Sequence, residues 1–278
     1  MNMIQSSKTH FIKGLTAFSL LLCLTTAAQA VSFEEAFAAS QRGDYETAYQ
    51  GYKVLAEKGD AKSQFNLGVM LEYGLNANQD YAEAVKWYRL AAEQKYAQAQ
   101  HALGMKYQKG SGVEQDFAQA LKWERLAADQ GFAPAQQSLG VLYVNGQGVA
   151  EDLNKAAEFF LLAAKQNYAE AQYNLGVMYY LGKGVPQSYE EAVKWYRLAS
   201  LNSYTNAQYN LGAAYFNGHG VTQDIVRTHM WWTTAAGNGD KNAKDDRETL
   251  EAKMTPEQIK ESMQMAKDCR AREFKGCN

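Results

Sequence analysis

One spacing constrains this chain more than any other feature. A Leu-Gly pair recurs every 36 residues, at Leu67-Gly68, Leu103-Gly104, Leu139-Gly140, Leu175-Gly176 and Leu211-Gly212. Other columns keep the same register. Glycines follow at Gly74, Gly110, Gly146, Gly182 and Gly218, and valines at Val113, Val149, Val185 and Val221. Asp80, Asp116, Asp152 and Asp224 share one position, with Ser188 in the remaining slot. Aromatic residues come next at Trp87, Trp123, Phe159, Trp195 and Trp231, then alanines at Ala91, Ala127, Ala163, Ala199 and Ala235. A unit this short cannot bury its own apolar stripe, so copies must stack on one another into a solenoid.

Each unit divides into two helices. The first spans about residues 61–73 of the opening unit and carries Leu67 and, one turn on, Leu71, which is tyrosine in the other four units. The glycine-rich stretch after it ends the helix, because glycine accepts the positive backbone angles of a sharp turn. Three prolines against 22 glycines fit helices broken by glycine turns. The second helix is expected to start at the Asp or Ser column, whose side-chain oxygen caps free amides of the first turn. Asp80 with Glu83, and Ser188 with Glu191, match a capping box. Ala84, Trp87 and Ala91 share a stripe, with Trp87 expected to fill the space between helices that approach at Gly68, Ala84 and Ala91. The fold class is all-α, an α/α solenoid of 36-residue helix pairs.

The ends follow from the same register. Residues 31–60 form a degenerate first unit, since Asp44, Ala48 and Tyr52 stand 36 before Asp80, Ala84 and Tyr88. Residues 61–240 hold the five full units, and 241–278, polar and charged, are expected to be capping helices, with Thr255-Pro256-Glu257-Gln258 as a helix start. Residues 1–30 differ: Lys8 and Lys13 precede an apolar run that ends at Ala28-Gln29-Ala30. That order describes a signal peptide cleaved after Ala30, and the run is shorter than the roughly 20 apolar residues that span a bilayer. No membrane insertion is expected after cleavage. Leu20-Leu21-Leu22 before Cys23 argue against lipoprotein processing. The expected product carries 26 basic and 30 acidic residues without a basic stripe, which speaks against nucleic acid as a partner. It is expected to be periplasmic or secreted. Its two cysteines, Cys269 and Cys277, are expected to form a disulfide in such a compartment.

The run Ala-Gln-Tyr-Asn-Leu-Gly-Val-Met-Tyr-Tyr-Leu-Gly-Lys-Gly-Val from Ala171 to Val185, continuing to Trp195-Tyr196 and Ala199, resembles the Sel1-like repeat. That family is related to tetratricopeptide repeats, and the resemblance covers nearly all of 61–240. It implies a right-handed superhelix acting as an adaptor or scaffold, often in a bacterial envelope. Cys269 with Lys275-Gly276-Cys277 is also similar to the ends of exported bacterial members.

Chemistry is thinly represented. His10, His101, His219 and His229 form no paired metal spacing, so neither a metal nor a cofactor is expected. Cysteine-rich relatives have been labelled β-lactamases, but this chain has no cysteine between Cys23 and Cys269 and no Ser-x-x-Lys beyond residue 30. The Gly-x-Gly of each turn joins two helices rather than a strand and a helix, so it is not read as a phosphate cradle. No catalytic constellation remains, and the chain is expected not to be an enzyme.

Helix geometry leaves one face for binding. Positions two before, two after and five after each Leu of Leu-Gly point away from it, at about 100° per residue. These are Tyr173, Val177 and Tyr180 in the fourth unit and Tyr209, Ala213 and Phe216 in the fifth. Earlier units place Phe65, Val69 and Glu72, then His101, Met105 and Gln108, then Gln137, Val141 and Val144. By resemblance to tetratricopeptide solenoids this face is a concave groove. It turns from polar to aromatic along the chain, and Tyr173, Val177, Tyr180, Tyr209 and Phe216 are the candidate contacts for a protein or peptide partner. Packing between neighbouring first helices is the competing explanation of these residues. Two rival functions stay open: a periplasmic immunity protein that neutralises an exported toxin, and a peptidoglycan-fragment binder or cell-wall hydrolase.

Overall fold

The computed structural model describes residues 32–272, 274, 276 and 277, so the segment read as a signal peptide lies outside the described residues. Helices α1 (Phe33–Gln41) and α2 (Tyr45–Glu57) open the chain. The five units follow as α3 (Ala61–Tyr73) with α4 (Tyr81–Glu93), α5 (Ala97–Lys109) with α6 (Phe117–Ala128), α7 (Ala133–Asn145) with α8 (Leu153–Ala164), α9 (Ala169–Leu181) with α10 (Tyr189–Leu201), and α11 (Thr205–Asn217) with α12 (Ile225–Gly237). Helices α13 (Lys241–Glu251) and α14 (Pro256–Ala271) close it. From α1 to α13 each helix packs on the next in sequence, giving an all-α solenoid.

Within a unit the two helices meet at the Leu-Gly glycine. A Cβ placed on Gly176 would lie 2.7 Å from the Tyr196 ring, and Gly68, Gly140 and Gly212 face Tyr88, Phe160 and Trp232 in the same way. The residue that fills this space is therefore not Trp87 but the one after it. Tyr88 is fully buried while Trp87 remains half-buried. One residue turns the side chain by about 100° around the helix, enough to move Trp87 from the helix interface to its shoulder.

Successive units are joined by a buried glutamine. Gln172, three residues before Leu175, donates through Nε2 to the carbonyl of Ala164 at the end of α8 (3.2 Å) and accepts from Asn202 at the end of α10 (3.1 Å). Gln64, Gln100, Gln136 and Gln208 repeat both bonds, and all five are buried. Each one adds a second hydrogen bond to a helix-end carbonyl that already accepts a backbone amide of the following turn, and so ties the glutamine's own unit to the end of the unit before it.

The second glycine of each turn makes a different approach. Gly184 has φ +70°, and a Cβ there would lie 2.2 Å from the carbonyl oxygen of Leu153, in the first turn of α8 one unit earlier. Asp80, Asp116, Asp152, Ser188 and Asp224 all cap their helices through the side chain. The capping box, however, is only half formed. Glu83 and Glu191 turn away from the N-cap amide to Lys86 (2.7 Å) and Lys194 (2.5 Å), which offer each carboxylate a cation one turn on. Complete boxes stand instead at Ser32 with Glu35 and Thr255 with Gln258.

At the far end α13 continues the stack while α14 folds back onto α12. Trp231 and Thr234 are fully buried there, and Cys269 is joined to Cys277 with their Cα atoms 5.5 Å apart.

Two glycines separate backbone angle from close approach. Gly43 has φ +77° with open space around its Cβ position, so Gly43→Ala should cost only the left-handed strain, about 1–2 kcal/mol. Gly184→Ala adds a collision with backbone and should cost a further ~1–3 kcal/mol, as should Gly176→Leu against Tyr196. Denaturant melts of the three variants check this order; equal losses for Gly43→Ala and Gly184→Ala would refute the inter-unit contact.

Candidate functional site

From the third unit to the fifth, side chains of the face counted from the leucine line a row of recesses on the first helices. A recess of ≈ 250 Å³ lies between Val141, Val144, Phe160, Val177 and Leu181. The next, ≈ 270 Å³, is lined by Tyr173, Val177, Tyr180, Tyr196 and Asn210. A third of ≈ 260 Å³ is lined by Tyr209, Ala213, Phe216, Trp232 and Asp246. Val177 belongs to the first two and Ala213 to the last two, so the recesses run on from one another as a groove. Tyr173, Val177, Tyr180, Tyr209 and Phe216 all stand on its walls.

These walls are built in different ways. Tyr173 packs against Tyr196 and Tyr204, with ring centroids 6.0 and 5.2 Å apart, and is half-buried. Tyr180 hydrogen-bonds His219 Nδ1 through its hydroxyl (3.0 Å) and touches Tyr189, on which His219 lies flat at 4.5 Å. Tyr180 thus ties the fourth unit to the turn of the fifth as well as lining the groove. Tyr209 donates to Asp246 (2.8 Å), and burial first, then that carboxylate, push its hydroxyl up to about 12. Phe216 is 37% exposed, its ring 5.6 Å from Trp232. The floor residues Phe160, Tyr196 and Trp232 escaped the sequence reading. Their signal in the sequence is the column directly after the tryptophans, which periodicity alone does not separate from its neighbour.

The same face of the first two units carries polar side chains. Glu72 accepts from the Tyr88 hydroxyl (2.7 Å) and pairs with Lys106. In the next unit the floor position is Glu124, fully buried where the other units hold an aromatic ring. Its Oε2 is 2.8 Å from His101 Nδ1 and its Oε1 accepts from Ser138 (2.9 Å) and Gln108 (3.3 Å). Burial is the main influence on this carboxyl and raises it, against the opposing pull of His101 and Ser138.

A second histidine cluster lies in the terminal helices. His229 is fully buried, with Nε2 2.9 Å from Glu251 and Nδ1 2.6 Å from Ser262 Oγ. The three residue types are those of a hydrolytic triad, but the arrangement does not act as one. Ser262 is fully buried and its hydroxyl is engaged by the Ile259 carbonyl (2.8 Å), so no substrate reaches it. The cluster joins α12, α13 and α14. Among the described residues no three His, Cys, Asp or Glu side chains gather as metal ligands, and no helix is long and apolar enough to cross a membrane.

Glu124 supplies a pH test. Its folded carboxyl is raised relative to the unfolded chain, so the ionised form penalises folding, and the penalty fades as pH falls through the folded value. Glu124→Tyr, which restores the residue found at positions 88 and 196, should melt above the wild-type chain at pH 7. The gap should narrow toward pH 5, in thermal melts followed by circular dichroism; a gap that widens would contradict this account.

The Sel1 repeat matches residues 61–96, 97–132, 133–168, 169–204 and 205–240. Among solved structures, a Sel1 repeat protein from Oxalobacter formigenes is 30% identical with a TM-score of 0.75, over 86% of this chain and 100% of that one. The protein c5321, a protective antigen of uropathogenic Escherichia coli with an SLR fold, is 28% identical with a TM-score of 0.72. That match covers 87% of this chain, which spans 56% of the Escherichia coli protein. Immunity protein Pa5087 of Pseudomonas aeruginosa shares the fold, at 20% identity and a TM-score of 0.50 over 73% of this chain and 81% of that one. No curated protein sequence matches the chain.

Proposed function

The chain belongs to the Sel1 repeat family, and on that footing we propose that it is a non-enzymatic scaffold of the bacterial envelope that holds a segment of another protein in the groove of its first helices. The observation that carries this reading is the continuity of the recesses. Aromatic and aliphatic side chains from three adjoining units, with Phe216 left 37% exposed among them, offer a long apolar track with polar atoms at its margins. Rings of this kind give much contact area for little lost side-chain freedom.

Phe216 gives the cleanest test because it makes fewer structural contacts than Tyr180. Phe216→Ala should lower stability by less than the ~3–5 kcal/mol typical of a buried aromatic, while removing most affinity for the partner. Melting curves and capture from an envelope extract, run side by side on both chains, check this. A partner retained equally by the variant would remove Phe216 from the binding face.

Export is supported by the leader-like first thirty residues, by the joined cysteine pair, and by a relative that is a protective antigen. Protein recovered from its native envelope should begin at Val31 and show no alkylatable thiol before reduction. The closed loop should add about 2–3 kcal/mol in the chain-entropy account. A retained leader with two free thiols would refute the assigned compartment.

A further inference from the structure

The repeats provide their own control for what a position needs structurally. At the floor position four units place an aromatic ring over the glycine, and the second unit alone places Glu124 over Gly104. The exchange is not isolated. His101 replaces the ring of Phe65, Tyr173 and Tyr209, and Ser138 replaces the amide of Asn66, Asn174 and Asn210. Both substituted side chains bond the Glu124 carboxyl, at 2.8 and 2.9 Å.

This inlay is expensive for folding. The carboxyl is fully buried, and among the described residues no Lys or Arg pairs with it, whereas Glu72 one unit earlier has Lys106. One unit further along the His101 column, Gln137 is 4% exposed, and both its side-chain nitrogen and oxygen lack a partner. Unpaired polar atoms at that depth also cost stability. A matched polar set that weakens a position where an aromatic ring is the structural solution marks a site kept for another purpose.

His101 connects the inlay to the groove. Its side chain is 24% exposed, and Nδ1 is the nitrogen directed at Glu124. In the neutral imidazole a carboxylate partner makes Nδ1 the donor, which leaves Nε2 as an acceptor for a ligand. A cationic N–H donated to Nε2 of that imidazole stands in line with a carboxylate that, among the described residues, His101 alone faces as a titratable group. We propose that the second unit is a subsite for a basic side chain, lysine or arginine, of the segment bound in the groove, with His101 Nε2 as acceptor and Glu124 as the counter-charge behind the ring. The proposal rests on the groove reading and deepens it. The bound segment would place its basic residue over the second unit and its apolar residues over the fourth and fifth.

Panning a random-peptide phage library on the chain, on Glu124→Tyr and on His101→Phe tests this. Each variant installs a residue that another unit carries at the same position, and melting curves establish that each one is folded before panning. The wild-type chain should enrich peptides with Lys or Arg at a fixed offset from an apolar pair, and replacing that basic residue by glutamine should weaken binding about tenfold or more. Both variants should keep the apolar pair and lose the basic preference. An unchanged basic preference in the variants, or a wild-type consensus without a basic residue, overturns the subsite and leaves the groove reading standing. Failure of all three chains to enrich any peptide, or enriched peptides that bind Phe216→Ala as well as wild type, overturns the groove reading itself and the subsite with it.

Discussion

A buried glutamine in every unit is the interaction on which the stack depends. A helix that ends inside a packed array leaves carbonyl groups that water cannot reach. Here the amide of Gln64, Gln100, Gln136, Gln172 or Gln208 reaches back to the last turn of the preceding unit, and its oxygen accepts from an amide side chain at the end of the second helix of its own unit. Three helices are thereby fixed by one side chain. The bond across units also sets the register in which the turn glycine of one unit meets the helix start of the unit before it, since a sliding unit would forfeit its bond to the preceding helix end.

Much of this was legible in the residues. The Leu-Gly spacing specified paired helices, and the Asp and Ser columns marked where second helices begin. Position within the unit was harder. Trp87 and Tyr88 are adjacent aromatics, and periodicity alone does not say which of them faces the glycine; the fold chose the tyrosine column. Glu83 and Glu191 had the right offset for a capping box but found lysines nearer, a choice that depends on side-chain reach. The glutamine column was as regular as any other. It went unused because glutamine reads as a surface residue until the helix ends that need it are placed beside it.

The groove was legible as a set of directions rather than as a surface. Counting from the leucine assigned Tyr173, Val177, Tyr180, Tyr209 and Phe216 to one face, because that count needs only the helical repeat. What each residue does there depends on partners far away in sequence. Tyr180 is claimed partly by His219 and Tyr209 by Asp246, each more than 30 residues on. The polar inlay at Glu124 was visible as a broken column, yet its meaning emerged only when His101 and Ser138 were found on the same carboxyl.

The two ends of the stack are unequal. At the C-terminus α14 doubles back over α12, His229 joins three helices, and a cysteine bridge closes the chain. At the other end of the described residues α1 is a nine-residue helix whose one substantial neighbour among them is α2. In a linear array each unit is held by its neighbours alone, so opening spreads inward from the less secured end. The solenoid therefore has a soft end and a hard end, with the aromatic track at the hard one and the polar inlay toward the soft one. A segment lying along both would act as a splint, spending part of its binding energy on keeping the early units in line.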